Sequence, residues 1–154
     1  MRVLEAPVAK FGFSSPACET KAILFSDSST SAVGTLTTWN WNFGDGTAPL
    51  IRNNASPFTH VFASAGTYQV SLIVTSSDGC FSSVKQLQVV VNPQPLASFS
   101  FTDTTCIPNA LIRFTNTSSI ANGTENSFVY LWNFGEPVSG IANSSTAKNP
   151  VHTY

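Results

Sequence analysis

Two histidines are the side chains of this chain best suited to acid–base catalysis or zinc binding. Neither His60 nor His152 has a cysteine or a carboxylate close by in sequence. A catalytic or metal-binding histidine needs convergent partners, and the sequence contains no Ser-His-Asp spacing, nucleophile elbow or HExxH motif. We therefore expect both histidines to pack against a β-sheet and to bond to backbone groups, and we expect a protein that is not an enzyme.

Three aspartates in predicted loops are the candidate ligands for a metal ion. They are Asp27, Asp45 and Asp78. Calcium binds carboxylate and carbonyl oxygens, but carboxylates are sparse here and no DxDxDG run is present. Calcium is therefore the minor hypothesis, and no other cofactor is expected. For Asp45 the alternative is a structural role, in which its carboxylate accepts hydrogen bonds from the backbone N–H groups of a turn.

An alternation of aromatic and polar residues begins at Trp39 and is the strongest local pattern. Trp39, Trp41 and Phe43 are spaced by two residues, so they project from one face of a β-strand. The strand is predicted to end in a tight turn formed by Gly44, Asp45 and Gly46. Burial of aromatic rings dominates small cores, which assigns Trp41 to the core. Trp39 shares that face, but its place near the strand end leaves a ligand contact open.

The same pattern returns near the end of the chain. Several motifs that recur at matching spacings indicate tandem modules. The residues that take the positions of Trp41, Phe43 and His60 in the second copy are Trp132, Phe134 and His152. Glu136 and Pro137 stand where the first copy has Asp-Gly. Because proline cannot adopt a positive φ, the second turn must differ, and any role of Asp45 is doubtful at Glu136.

Short alternating segments separated by turn signals predict an all-β protein. The segment 47–56 is polar and is predicted to be a loop. Residues 8–92 account for one complete sandwich, and residues 93–95 for a proline-rich linker. Residues 96–154 account for a second sandwich that lacks counterparts of the last strands of the first. For these strands we expect either a truncated chain or strands supplied by another chain.

The composition favours an extracellular β-protein with little charge. Of 154 residues, 42% are hydrophobic and 10% are charged, and the net charge is −1, whereas soluble domains average about 25% charged residues. Binding to nucleic acid needs clustered cations, so no such partner is expected. No apolar run approaches the ~18 residues that cross a bilayer, so no membrane insertion is expected. An export signal is expected to lie outside this chain.

Three motifs taken together resemble the PKD domain. They are Trp-Asn-Phe-Gly-Asp-Gly-Thr at 41–47, a proline three residues before His60, and the alternating run that starts at Gly66 and passes through Tyr68. The resemblance covers residues 8–92 and the first part of a second copy. It implies an all-β fold of tandem immunoglobulin-like β-sandwiches, the second of them incomplete.

The resemblance also implies a function. PKD-like modules act as non-catalytic structural or adhesive units, repeated as spacers or interaction units of larger bacterial proteins that are secreted or displayed on the cell surface. This chain is similar to tandem arrays in adhesins and gliding-motility proteins of Bacteroidetes-type bacteria, which use a type IX secretion system. The implied partners are neighbouring PKD-like modules of the same chain and an extracellular polysaccharide or surface protein. The alternative is a carbohydrate- or protein-binding accessory module of a secreted hydrolase.

The three cysteines allow one hypothesis of a disulfide within the first module. In an oxidising compartment Cys18 and Cys80 would pair within the first module, and Cys106, the counterpart of Cys18, would lack a partner. Against this pairing, the turns after the first and sixth strands of a simple sandwich lie at opposite ends. The bridge therefore requires an irregular first strand that carries Cys18 along the sandwich.

Overall fold

The computed structural model describes residues 4–101 and 110–154, and Cys106 lies outside them. The chain divides into two compact units, Met1–Pro93 and Gln94–Tyr154, which we call the first and the second module. In the part of the chain that the structure describes, no helix is long and apolar enough to cross a membrane.

Short alternating apolar segments form the strands of the first module, because alternation lets one side face a core while the other faces water. In chain order the strands are β1 (Phe11–Phe13), β2 (Ala17–Cys18), β3 (Ala22–Asp27), β4 (Leu36–Asn42), β5 (Leu50–Arg52), β6 (Phe58–Val61), β7 (Gly66–Ser76) and β8 (Lys85–Asn92). They form two sheets, with strand orders β1-β3-β6 and β2-β8-β7-β4-β5. Neighbours are antiparallel, except that β2 runs parallel to β8. The prediction of an all-β fold is confirmed.

The core of the first module is formed by side chains from both sheets. Aromatic rings occupy its centre, where the ring of Trp41 lies 4.9 Å from Phe11, 6.0 Å from Phe25 and 5.1 Å from Phe58 in edge-to-face contacts. The other buried hydrophobic residues are Ala9, Ala17, Ile23, Trp39, Phe43, Phe62, Val70, Leu72, Val74, Val89 and Val91.

One predicted loop contains a strand. The segment 47–56 includes β5, which pairs with β4 so that Leu50 lies opposite Trp41 and Arg52 opposite Trp39. A strand of three residues is too short to give a periodic signal in the sequence. It forms because β4 is paired with β7 on one side and has its other edge free for a partner. The loop prediction is therefore wrong at β5.

The chain enters and leaves the first module at opposite ends. Val8, just before β1, forms a bridge with Thr30, which lies beyond the last residue of β3. The final strand, β8, ends at Asn92, which lies opposite Cys18 of β2. The carbonyl of Cys18 accepts a hydrogen bond from Lys21 just before β3 begins. The length of β3 therefore separates the start of the module from its end.

The second module repeats five of these strands. They are β9 (Phe99–Phe101), β10 (Leu111–Asn116), β11 (Trp132–Asn133), β12 (Ser144–Ser145) and β13 (Val151–Thr153). The order β13-β10-β9 matches β6-β3-β1, and the pair β11-β12 matches β4-β5. Two short 3₁₀ helices, Glu125–Ser127 and Pro137–Asn143, lie in the connections. No strand in the described part of this module corresponds to β7 or β8.

Candidate functional site

A histidine and a carboxylate meet where β4 ends, and they connect the two sheets of the first module. Asp45 lies in the turn after β4, and His60 lies in β6 of the other sheet. The Nε2 atom of His60 is 2.7 Å from Oδ2 of Asp45. The Oδ1 atom of Asp45 accepts hydrogen bonds from the backbone N–H of Thr47 at 3.0 Å and from the Thr47 hydroxyl at 2.6 Å. Asp45 therefore links its own turn to the opposite sheet.

The His60 ring is held on three sides. It lies flat on Phe43, with the ring centroids 3.7 Å apart and the planes 3° from parallel, and it meets Phe62 edge-on at 4.8 Å. Its Nε2 bonds to a carboxylate, which differs from the expected bond to backbone. The partner, Asp45, is 15 residues away in sequence, so local sequence gave no sign of it. These contacts indicate that the His60 ring has a structural role, in which it connects the two sheets of the first module.

Hydrogen bonds set the charge of Asp45. Burial raises the pKa of its carboxyl group, but the hydrogen bonds from Thr47 and His60 outweigh burial and hold that pKa below its ordinary value. Asp45 is therefore ionised at neutral pH. Its side chain is only 8% exposed, so the charge is stabilised by these donors in place of water.

The second module contains the same arrangement with a longer acid. The Nε2 atom of His152 lies 3.1 Å from Oε2 of Glu136. The imidazole stacks on Phe134 at 4.3 Å and meets Tyr154 edge-on at 4.5 Å. The turn differs, as expected, because Pro137 begins a 3₁₀ helix there. The doubt about Glu136 is nevertheless removed, since its longer side chain reaches the histidine.

Two glycines of the first turn meet different requirements. Gly44 has a φ of +70°, and a Cβ atom on it would lie 2.8 Å from the carbonyl oxygen of Gln69 in β7. Gly46 also has a positive φ, +84°, but a Cβ atom there would meet nothing within 4 Å. Gly44 thus provides both a backbone angle and the space for β7, whereas Gly46 provides the angle alone.

Replacing Gly44 with alanine is expected to destabilise the first module by about 2 kcal/mol, through left-handed backbone strain and a clash with β7. Gly46→Ala is the matched control, and it should cost about 1 kcal/mol, from the backbone angle only. Urea unfolding of the full chain measures both. Equal losses in the two variants would contradict the close approach of Gly44 to Gln69.

Both tryptophans of β4 face the core. Trp41 lies opposite Leu72 of β7, and Trp39 lies opposite Val74. Trp39 is only 5% exposed, so its ring offers no face to a ligand. The ligand-contact hypothesis for Trp39 is therefore wrong, because alternation places it on the same buried side as Trp41. In the second module Trp132 is half-buried.

The three candidate calcium ligands lie in different turns of the first module. Asp27 ends β3, and its Oδ1 accepts hydrogen bonds from the backbone N–H and the hydroxyl of Ser29. Asp45 bonds to His60 and Thr47, and Asp78 lies in the turn between β7 and β8. Among the described residues, no group of three or more His, Cys, Asp or Glu side chains is placed to hold a metal ion. Calcium binding stays an untested hypothesis.

Cys18 and Cys80 are both free, so the disulfide considered from the sequence is not formed. Cys18 lies beside the last residue of β8, next to the start of β7, while Cys80 follows the end of β7. Because β7 has 11 residues, it separates these places by about 35 Å, and a disulfide requires Cα atoms within about 7 Å. The chain does cross to the second sheet at β2, but this brings Cys18 to the end away from Cys80.

The outer surface of the five-stranded sheet is uncharged and rich in amides. Its outward positions include Asn40, Gln69, Gln86 and Gln88, all of which are exposed. Gln69 lies directly opposite Gln88 on the adjoining strand. None of these four amides has a hydrogen-bond partner within the described part of the chain. Sequence analysis missed this surface, although the polar positions of the alternating strands mark it.

Comparison with known proteins gives three kinds of match. A family model for the PKD domain matches residues 4–91. Collagenase ColA of Bacillus cereus is 38% identical over 89 residues, which are 57% of this chain and 9% of the collagenase. The PKD1 domain of Vibrio anguillarum Epp matches with a TM-score of 0.46 and 27% identity, over 58% of this chain and 99% of that one.

A second solved structure also matches. It is described as showing the promiscuous specificity of carbohydrate-binding modules from the β-sandwich superfamily. Its TM-score is 0.56 at 20% identity, and the match covers 74% of this chain and 56% of that chain. At this identity the likeness is one of fold. The chain spans less than a tenth of the collagenase and a little over half of the carbohydrate-binding structure.

Proposed function

Because the chain belongs to the PKD domain family, we propose that it is a non-catalytic spacer and interaction unit, repeated within a larger secreted or cell-surface bacterial protein. The match to a short segment of a collagenase supports a module that accompanies other domains. Within this proposal, we favour adhesins and gliding-motility proteins exported by a type IX secretion system as parent proteins. Neighbouring modules of the same chain are then its first partners.

The observation that carries this proposal is that the chain enters and leaves the first module at opposite ends. Since the chain enters at one end and leaves at the other, tension on a longer protein would pass through the sandwich. β2 comes early in the sequence of the module, and it runs parallel to the last strand, β8. Pulling the ends apart therefore shears this strand pair, and its hydrogen bonds have to break together. Two of these bonds join Glu19 N–H to the Asn92 carbonyl at 3.0 Å and the Asn92 side-chain amide to the Ala17 carbonyl at 3.1 Å.

Replacing Asn92 with alanine is expected to lower the force at which the first module unfolds, because the side-chain bond to Ala17 is lost. The equilibrium cost should be only about 1 kcal/mol. Single-molecule stretching of the full chain between its ends measures the force. Asn40→Ala is the matched control, since this amide lies on the outer sheet surface and bonds to no described residue. If the Asn92→Ala variant unfolds at the same force as the parent, the β2–β8 pair does not resist the applied tension.

A neutral polysaccharide is the second candidate, because the amide-rich surface offers free donors and acceptors without charge. Hydroxyl groups are both donors and acceptors, and they match side-chain amides in either orientation. A carbohydrate-binding module of the β-sandwich superfamily shares this fold, while the class of ligand is proposed from the amide-rich surface itself. The absence of charge on the outward positions of β4, β7 and β8 favours a neutral polymer over an anionic one.

Pull-down on cellulose, a neutral probe, and on alginate, an anionic one, tests this second function. The chain is expected to bind the neutral polymer, with little dependence on salt. The double variant Gln69→Ala with Gln88→Ala should bind about tenfold less, from the loss of hydrogen bonds worth about 1.4 kcal/mol. Thr59→Ala, on the outer side of the other sheet, should bind as the parent does. Retention on neither polymer would leave the spacer as the function.

A further inference from the structure

Two buried N–H groups at one edge of the first module have no acceptor among the described residues. They are Nε1 of Trp39 in β4 and Nε of Arg52 in β5. Trp39 and Arg52 lie directly opposite each other on the paired strands, and the side chains of such a pair share one face of the sheet, with Cβ atoms about 5 Å apart. Both unpaired donors therefore project into the same part of the sandwich.

The burial of these donors separates them from bulk water. It excludes a ligand stacked on the face of the Trp39 ring, yet the N–H at the edge of that ring still needs an acceptor. A buried donor without an acceptor loses its bonds to water with no replacement, and native proteins rarely contain one. Two such donors on one cross-strand pair indicate that a bound species, and not a residue of the chain, is their acceptor.

The guanidinium group of Arg52 lies across the edge between the two sheets. Its central carbon is 4.6 Å from the centroid of the Phe58 ring, which belongs to β6 of the other sheet. Its Nη2 atom donates to Oδ1 of Asn54 at 3.0 Å and to the carbonyl of Ser56 at 3.2 Å. These contacts hold the group in place, and Nε is the nitrogen that stays buried and unpaired.

The positive charge of Arg52 has no counter-ion in the described part of the chain. The ion pairs there join histidines to Asp45 and Glu136, and neither pair includes Arg52. Arg52 is half-buried, so solvent screens its charge less than it screens the charge of an exposed side chain. The site therefore combines two unpaired donors with an unbalanced positive charge.

The surroundings of the guanidinium group favour an anion over a water molecule. A buried water needs acceptors for its own hydrogens as well as donors. Oδ1 of Asn54 already accepts hydrogen bonds from Arg52 and from the backbone N–H of Ser56 at 3.1 Å, and the Ser56 carbonyl accepts one from Arg52. An anion has no hydrogens to place, and it also balances the charge.

We propose that a small monovalent anion of the halide type binds between β4 and β5 and accepts hydrogen bonds from Nε1 of Trp39 and Nε of Arg52. The ion bridges one residue of each strand and so fastens the short β5 to β4. Because β5 is an edge strand and Arg52 is half-buried, the ion enters when this one side chain moves. The site lies on the inner side of β5, whereas the amide-rich surface lies on the outer side of the same sheet.

Urea unfolding of the full chain in sodium chloride, and in sodium gluconate at the same ionic strength, tests the site, because gluconate is too large to enter. In about 100 mM chloride the folding equilibrium constant of the parent should be roughly tenfold higher, as linkage gives for a dissociation constant of about 10 mM. Arg52→Met keeps an apolar stem over Phe58 and should abolish the difference. Trp39→Phe keeps an aromatic ring but has no N–H, and it should at least halve the difference.

Trp41→Phe is the matched control. It shortens a core tryptophan of the same strand whose Nε1 is not among the buried unpaired donors, so the full chloride difference should remain. Because each comparison is between two salts for one variant, any loss of stability caused by the substitution itself cancels.

Crystals of the parent soaked in sodium bromide locate the ion by its anomalous scattering, and the expected peak is in contact with both N–H nitrogens. Equal stability in chloride and gluconate would overturn the proposal, and so would a chloride difference that Arg52→Met retains. A water molecule between the two nitrogens would assign the site to solvent and overturn the anion. Bromide peaks confined to other surfaces would be an adventitious ion only, with the same consequence. None of these measurements depends on the spacer function, whose test is the unfolding force of the first module.

Discussion

Replacing Trp41 with alanine is expected to lower the free energy of unfolding of the first module by about 3 to 5 kcal/mol. The indole is 1% exposed and contacts three rings of the opposite sheet, those of Phe11, Phe25 and Phe58. Alanine would leave a cavity that the surrounding strands fill only in part. Urea unfolding of the full chain measures the loss of stability. Amide hydrogen exchange in β7 serves as the probe that assigns this loss to the first module.

Ile51→Ala is the control for Trp41→Ala. Ile51 lies on the neighbouring strand β5, but its side chain is 67% exposed on the outer surface. Its removal should change the free energy of unfolding by no more than about 0.5 kcal/mol. A Trp41→Ala loss as small as the Ile51→Ala loss would show that the ring cluster does not stabilise the sandwich.

The fold was predictable because one side of each long strand is apolar. In β7 the period-two spacing of Val70, Leu72 and Val74 already placed these three side chains on one face, and all three are buried. The repeat of Trp41 at Trp132 likewise indicated two modules, since a core position has to recur when a sandwich recurs. Period-two patterns depend only on the strand itself, so sequence alone reveals them.

Features that depend on pairing between distant segments were not predictable. The bond between Asp45 and His60 exists because β4 and β6, in different sheets, meet at one end of the sandwich. Neither residue has a local pattern that indicates its partner. The disulfide between Cys18 and Cys80 is the opposite case. The sequence allowed this pairing, but the length of β7 separates the two residues. Both cases were decided by topology.

Replacing Asp45 with alanine is expected to cost about 2 kcal/mol, because the donors of exposed Thr47 and half-buried His60 lose an ionised acceptor. The two sheets would also lose their link at the end of β4. Thermal and urea unfolding of the full chain measure the loss. Asp78→Ala is the matched control, since Asp78 is an exposed aspartate in a turn of the same module, and it should be close to neutral. Equal effects would contradict the linking role of Asp45.

The pH dependence separates the charge of Asp45 from its packing. Its pKa is lowered in the folded state, so the unfolded chain takes up the proton first as the pH falls. The stabilisation is therefore complete above the unfolded-state value of about 3.9, and it is lost as the pH falls through the lower folded-state value. Asp45→Asn keeps the size and an acceptor oxygen but has no charge to lose.

The unfolding free energy of the Asp45→Asn variant should therefore fall less steeply than that of the parent below about pH 4. Asp78→Asn should follow the parent, because this aspartate is exposed and has no comparable set of donors among the described residues. Urea unfolding at a series of pH values compares the three chains. If Asp45→Asn and the parent lose stability in parallel, the ionised carboxylate contributes nothing beyond its hydrogen-bond geometry. If only Asp45→Asn is flat, the charge itself ties β4 to β6.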